Sequence, residues 1–313
     1  MAVLILTTIQ PLDAWFRGLI TALEQRKPDI DLRVWPECEN TEDIDVILAW
    51  LAPKGMMQNF PNLKLIMSLG ASVDTILDDE ELPENVPIVR LVTPTKSVQM
   101  AEYVTLAVLM FQRRFLEYLS FQRQKNWELL LAHNADSFKV GILGQGVLGL
   151  AVSQKLIAMG FPVRGWSRTP KSFANIECFH GRQQLTSFLS ECSAIVCLLP
   201  VTSETKGILC KETFDALPDG AFLINVGQGP HVVEADLLSA LDSGKIAGAC
   251  LDVFKDEPLP PDHRFWTHPN VIVTPHISAP GSLDDVANCV IETLTDLEQG
   301  QPLKYGVDRS RGY

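Results

Sequence analysis

Short apolar runs at residues 3–6, 32–35, 46–49, 65–67 and 88–89 alternate with polar or helically patterned stretches, and predict the buried strands of a small parallel α/β domain. From residue 99 to 119 the apolar positions Val104, Ala107, Val108, Phe111, Phe115 and Leu119 recur at helical spacing. They predict one long helix that leads out of this first domain and acts as its hinge. Six further runs, 140–143, 163–166, 194–199, 221–226, 247–253 and 271–273, with helical patterns between them, predict a second set of βα units. A last helix over 283–299 ends at Gly300 and is expected to cross back to the first domain. The pattern therefore predicts an α/β protein of two Rossmann-like domains, each a doubly wound parallel sheet, with an interdomain cleft. One domain is residues 1–98 plus 281–313, and the other, 99–280, is inserted into it.

The connection after the run 140–143 carries Gly144, Gln145, Gly146, Val147, Leu148 and Gly149, a G-x-G-x-x-G turn that opens a helix over 147–159. The first glycine permits the turn, the second lets the backbone approach a pyrophosphate, and the third allows the helix to pack closely on the strand. The amides of the helix start then face phosphate charge. At the end of the next strand an acidic side chain would accept hydrogen bonds from an adenosine ribose. Here Ser167 stands, eighteen positions after Gly149, followed by Arg168, Thr169 and Lys171. Two cations and two hydroxyls suit a ribose phosphate, so NADP(H) is favoured over NAD(H). A solvated basic turn is the other reading of this cluster.

Composition narrows the partners. With 46% hydrophobic and 20% charged residues in 313, the chain is ordinary globular material. A net charge of −12 argues against nucleic acid or an anionic membrane as partner, so a small anionic substrate must meet local positive charge. Cysteines 38, 178, 192, 197, 210, 250 and 289 stand singly, as reduced core residues do, and no metal site is expected. The start, MAVLILTTIQP, has no basic segment and too short an apolar run for a signal peptide or membrane span, which makes the cytoplasm the default.

Several motifs occur in order: SLGASVD (68–74), the glycine turn, the Ser167-Arg168-Thr169 cluster, CLLPVTSET (197–205), INVGQGPHVVEADLL (224–238), LDVFKDEPLPP (251–261), TPHISA (274–279) and the ending VDRSRGY. Together they resemble the D-2-hydroxyacid dehydrogenase family, and within it the glyoxylate and hydroxypyruvate reductase A group, over nearly the whole chain. The resemblance implies reduction of a small 2-oxo acid by NADPH. It also implies that His276, which on its own closes an apolar strand at a βα loop, is the acid and Glu257 its partner. A carboxylate beside an imidazole favours the protonated ring that such a reduction needs.

The family's third catalytic residue is an arginine that grips the substrate carboxylate, and this sequence has Gln228 there. Glutamine offers neutral hydrogen bonds where arginine offers two charge-assisted ones. An engineered substitution, an enzyme that uses another cation, and a protein that has lost catalysis all remain open. The last of these leaves a second function class, an NADP(H)-responsive binding protein. The resemblance also places substrate contacts at Trp50 and at the amides of Leu69, Gly70, Ala71 and Ser72. It places cofactor contacts at Pro200, Thr205, Asn225, Val226, Gly227 and Asp252. It implies a homodimer, for which the helix over 99–119 and the segment 127–131 are the candidate interface.

Overall fold

The computed structural model describes residues 1–9, 11–38, 40–70 and 72–309. The chain divides into two compact units, Met1–Lys96 with Gly281–Tyr313, and Ser97–Pro280. In chain order the first unit contains β1 (Ala2–Thr7), α1 (Ala14–Arg26), β2 (Asp31–Val34), β3 (Ile44–Trp50), β4 (Leu65–Ser68), α2 (Asp74–Leu77) and β5 (Ile88–Arg90). Their sheet is parallel throughout, ordered β2-β1-β3-β4-β5. Every residue of β1 is buried, as a central parallel strand covered on both faces must be. Asp13 caps α1 by accepting from the Phe16 amide, and the helix turns Phe16, Leu19 and Leu23 into the core.

Helix α3 (Pro94–Gln112) starts in the first unit and has most of its length in the second. The second unit goes on through α4 (Phe115–Gln124), β6 (Val140–Leu143), α5 (Val147–Ala158), β7 (Val163–Ser167) and β8 (Ile176–His180). It continues with α6 (Leu185–Leu189), β9 (Ala194–Cys197), α7 (Lys211–Ala216), β10 (Ala221–Asn225), α8 (Glu234–Asp242), β11 (Ile246–Leu251) and β12 (Val271–Val273). This sheet is also wholly parallel, in the order β12-β11-β10-β9-β6-β7-β8. The final helix, α9 (Leu283–Glu298), belongs to the first unit. Its Val286, Ala287, Val290 and Leu294 join Phe16, Leu19 and Leu23 in one core, and Arg26–Asp284 and Lys27–Glu298 ion pairs flank the contact with α1.

Two sequence expectations differ from the structure. The long helix over 99–119 is two helices, α3 and α4, parted at Arg114 in the left-handed conformation (φ 61°). Val104, Ala107, Val108 and Phe111 face the core, whereas no residue of α4 is buried and Phe115 is 51% exposed. The apolar spacing runs on past Phe111, but the core it would face does not. Strand β8 has no counterpart among the predicted strands. Its residues, Ile-Glu-Cys-Phe-His, are a half-exposed edge with one buried position, and an apolar-run criterion passes over them. Among the described residues no helix is long and apolar enough to cross a membrane.

Candidate active site

Because all strands of the second sheet are parallel, their carboxyl ends share one edge. Register pairs align Leu143 with Trp166 and Cys197, Asn225 with Cys197 and Leu251, and Leu251 with Val273. The residues that follow these ends, from Gly144 to His276, are most of the predicted site, and open α/β sheets bind ligands at this edge.

The glycine turn fits a dinucleotide. Gly144 has φ +103°, and a Cβ there would lie 2.7 Å from the Leu198 carbonyl oxygen. A Cβ on Gly149 would overlap the carbonyl oxygen of Gly144, so only glycine lets α5 start this close to β6. Gly146 is the N-cap of α5, with no side chain to cap its amides and open space where a Cβ would stand. That space is where a pyrophosphate would meet the helix start. Val147 is 54% exposed beside it, while Leu148 packs against the core. Gln145 is turned inward: its side chain lies over Gly165 of β7, and its Oε1 has no hydrogen-bond partner.

Arg168, Thr169 and Lys171 are exposed after β7, with no acid at the strand end. Ser167 is buried and donates its hydroxyl proton to the Thr169 carbonyl (2.8 Å), which shapes the turn. Lys171 Nζ donates to the Gln145 carbonyl at 2.6 Å, joining the basic turn to the glycine turn. Arg164 lies near the start of β7. It is 5% exposed and reaches Glu177, its neighbour across β7 and β8, and Glu191.

His276 Nδ1 lies 2.9 Å from Glu257 Oε2. Glu257 Oε1 accepts from the Phe254 amide at 2.9 Å, so the carboxylate is oriented by its own turn before it meets the ring. His276 has φ +55°, a left-handed conformation that costs about 1–2 kcal/mol for a side chain other than glycine. Asp252 offsets that strain. Fully buried at the end of β11, it accepts from the Ile277 amide and the Thr274 hydroxyl at Oδ1 and from the Ser278 amide at Oδ2. Its carbonyl accepts from the His276 amide at 2.9 Å. The carboxyl group of Asp252 is thus aimed at the loop that carries His276.

The turn after β10 is held as firmly. Asn225, fully buried, donates from Nδ2 to the Gln228 carbonyl (3.1 Å) and accepts from the Gly227 amide. The Gln228 amide donates to His231 Nδ1 (3.1 Å), and His231 Nε2 faces the Pro200 carbonyl at 3.2 Å. His231 is fully buried, and it ties the Gln228 turn to the loop after β9. Thr205 closes that loop, donating to the Pro200 carbonyl at 2.7 Å. Val226 is buried, and a Cβ on Gly227 would sit 3.2 Å from the Cys197 and Leu199 carbonyls. His231 is not among the residues the motifs single out, and its only sequence signal is its place three residues after Gln228 in a Gly-Pro-containing turn.

In the first unit, Trp50 ends β3 and its ring packs on Gly70, where a Cβ would stand 2.8 Å from Cζ3. The Leu69 amide donates to the Ala49 carbonyl and the Gly70 amide to Ser68 Oγ. The expected cradle of amides is therefore partly spent within the loop. Ser72 remains beside it, its hydroxyl on Asp74, and Ala71 lies outside the described residues.

Comparison with known proteins agrees with this arrangement. Residues 105–278 match the D-isomer specific 2-hydroxyacid dehydrogenase, NAD binding domain. A glyoxylate/hydroxypyruvate reductase A from Salmonella heidelberg (strain SL476) is 42% identical over 305 residues, 96% of each chain. The crystal structure of a D-isomer specific 2-hydroxyacid dehydrogenase from Xanthobacter autotrophicus Py2, in complex with NADPH and MES, superposes with a TM-score of 0.92 at 38% identity. The match covers 100% of this chain and 99% of that one. An NADPH-dependent glyoxylate/hydroxypyruvate reductase from Sinorhizobium meliloti, in complex with NADP and sulfate, also gives 0.92, at 34% identity over 100% and 99% of the two chains. On the sheet edge, the glycine turn and these matches, the chain belongs to the D-isomer specific 2-hydroxyacid dehydrogenases.

Proposed function

We propose that the protein reduces small 2-oxo acids, with glyoxylate and hydroxypyruvate as the substrates its relatives indicate, and that its cofactor is NADPH. The observation that carries this is the His276–Glu257 pair, 2.9 Å apart on the sheet edge that also bears the glycine turn. The reduced nicotinamide, when bound, supplies the hydride. Glu257 holds Nδ1 of His276, which leaves Nε2 as the nitrogen that passes a proton to the substrate carbonyl oxygen. The open face of Gly146 and the α5 amides take the pyrophosphate, and Arg168, Thr169 and Lys171 take the ribose phosphate.

In this reading 99–280 is the cofactor domain, and 1–98 with 281–313 is the substrate domain. Trp50 and the loop Leu69, Gly70, Ala71 and Ser72 contribute to substrate binding. Gln228 weakens the site, because it brings no positive charge to the substrate carboxylate. A second reading follows from that residue alone: a protein of this fold that binds NADP(H) and reports it to a partner without turnover.

Oxidation of NADPH with glyoxylate or hydroxypyruvate separates the two readings. Turnover with either acid supports the reductase. Tight NADPH binding with no turnover on any 2-oxo acid across the pH range supports the binding protein.

A homodimer is part of the proposal. Trp127 is 102% exposed and Leu129 and Leu131 are each 81% exposed, on a segment that Tyr118 pins by bonding both the amide and the carbonyl of Leu130. An ordered apolar arm of this kind calls for a covering surface. Sedimentation as a stable monomer would reject it. Cytoplasmic residence is proposed on the seven free cysteines.

A further inference from the structure

We propose that Tyr103 and Thr274 are positioning residues for His276, joined to Asp252 in a directed hydrogen-bond chain that holds the 274–278 loop. This rests on the reading of His276 as proton donor.

The direction follows from counting protons. Thr274 Oγ1 donates to Asp252 Oδ1 at 2.6 Å, and a hydroxyl has only one proton to give. The Tyr103 hydroxyl, 2.5 Å from the same Thr274 oxygen, must therefore be the donor in their contact. Burial pushes the Tyr103 phenol well above its usual range, so it keeps the proton that this role needs. The chain thus runs from α3 to the loop: Tyr103 to Thr274 to Asp252, with the amides of Ile277 and Ser278 closing on the same carboxyl group.

The arrangement brackets His276. Thr274 is anchored two residues before it and the Ile277 and Ser278 amides just after it, while its own amide bonds the Asp252 carbonyl. A residue at φ +55° stays there only when both sides are over-determined. Tyr103 supplies the fixed end. The next buried positions of its helix, Val104, Ala107, Val108 and Phe111, lie in one core with Ile224 and Cys250 of β10 and β11. Its hydroxyl also lies 3.3 Å from Cys250 Sγ. Removing the chain should leave the His276–Glu257 pair chemically intact but let the loop that aims it open.

The test uses the full-length protein with Thr274→Val, Thr274→Ser and Tyr103→Phe. Hydrogen exchange is followed at the Ile277 and Ser278 amides, alongside kcat, the KM for the 2-oxo acid and the Kd for NADPH. The loss of both buried hydrogen bonds of the Thr274 hydroxyl predicts a roughly thirtyfold rise in exchange and a roughly thirtyfold fall in kcat for Thr274→Val. The NADPH Kd should stay within about twofold, because the glycine turn and basic turn are untouched. Thr274→Ser should restore both quantities, and Tyr103→Phe should fall between.

Exchange and kcat both unchanged in Thr274→Val would overturn the proposal. So would a loss of NADPH affinity in step with kcat, which would mark general unfolding, or a Thr274→Ser variant that fails to recover. If the unaltered protein reduces no 2-oxo acid, the reductase reading falls by itself. Exchange at the two amides then still decides whether the chain holds the loop.

Discussion

The loop that carries His276 and the turn that carries Arg168 sit at the ends of two strands of one sheet, yet they are built in opposite ways. Around His276 the backbone is strained and held by direct hydrogen bonds: Glu257 on the ring, and Asp252 on the loop's amides. After β7 the side chains are exposed, and one buried serine and one lysine tether define the turn. The difference follows the tasks proposed for the two regions. Proton transfer fails when donor and acceptor are misplaced by about an ångström, so its residues must be fixed in advance. Charge attraction to a phosphate falls off slowly with distance, so long side chains can adjust to it.

Four substitutions would break or sharpen this contrast. The largest effect belongs to His276→Asn, chosen because asparagine tolerates the left-handed backbone. Loss of a positioned acid should lower kcat by roughly a hundredfold to ten-thousandfold with NADPH affinity unchanged, as steady-state rates and fluorescence titration would report. A variant that kept its kcat would remove the proton donor from the account.

Next comes Gln228→Arg, placed on a turn as rigid as the first region but lacking charge. Restoring one strong donor to the substrate should raise kcat/KM by roughly a hundredfold to a thousandfold. No gain would show that another cation already serves the carboxylate. Arg168→Ala should weaken NADPH by about tenfold to a hundredfold, the worth of a charged hydrogen bond, and leave NADH unaffected. Equal weakening of both cofactors would deny the turn its role in selection. The smallest effect is expected of Lys171→Met. Because Lys171 also ties the turn to the Gln145 carbonyl, a loss of roughly threefold should appear for NADH as well as NADPH, beyond any phosphate contact.

The strands and the glycine turn were legible because fully buried parallel strands are written as unbroken apolar runs and because Gly144 and Gly149 have no substitute. The pairing of His276 with Glu257 came from motif resemblance, since nineteen residues of separation carry no local signal. What the sequence left unread depends on tertiary contact. Arg114 breaks a helix whose apolar spacing continues across it, and β8 is an edge whose Glu177 pairs with Arg164. The burial of Asp252 and its hydrogen-bond partners are visible only once β11 and β12 lie side by side. His231 and Tyr103 matter through atoms far along the chain, the Pro200 carbonyl and the Thr274 hydroxyl.

The clamp on residue 228 has an evolutionary corollary. Asn225 and His231 grip its main chain, through the carbonyl and the amide of residue 228. These two bonds survive an exchange of the side chain, so the main-chain turn is kept whichever residue stands there. Glutamine and arginine codons can differ by a change of the middle base alone. On the role proposed for residue 228, one mutational step would dim or brighten activity in such a lineage while the main-chain clamp stays in place.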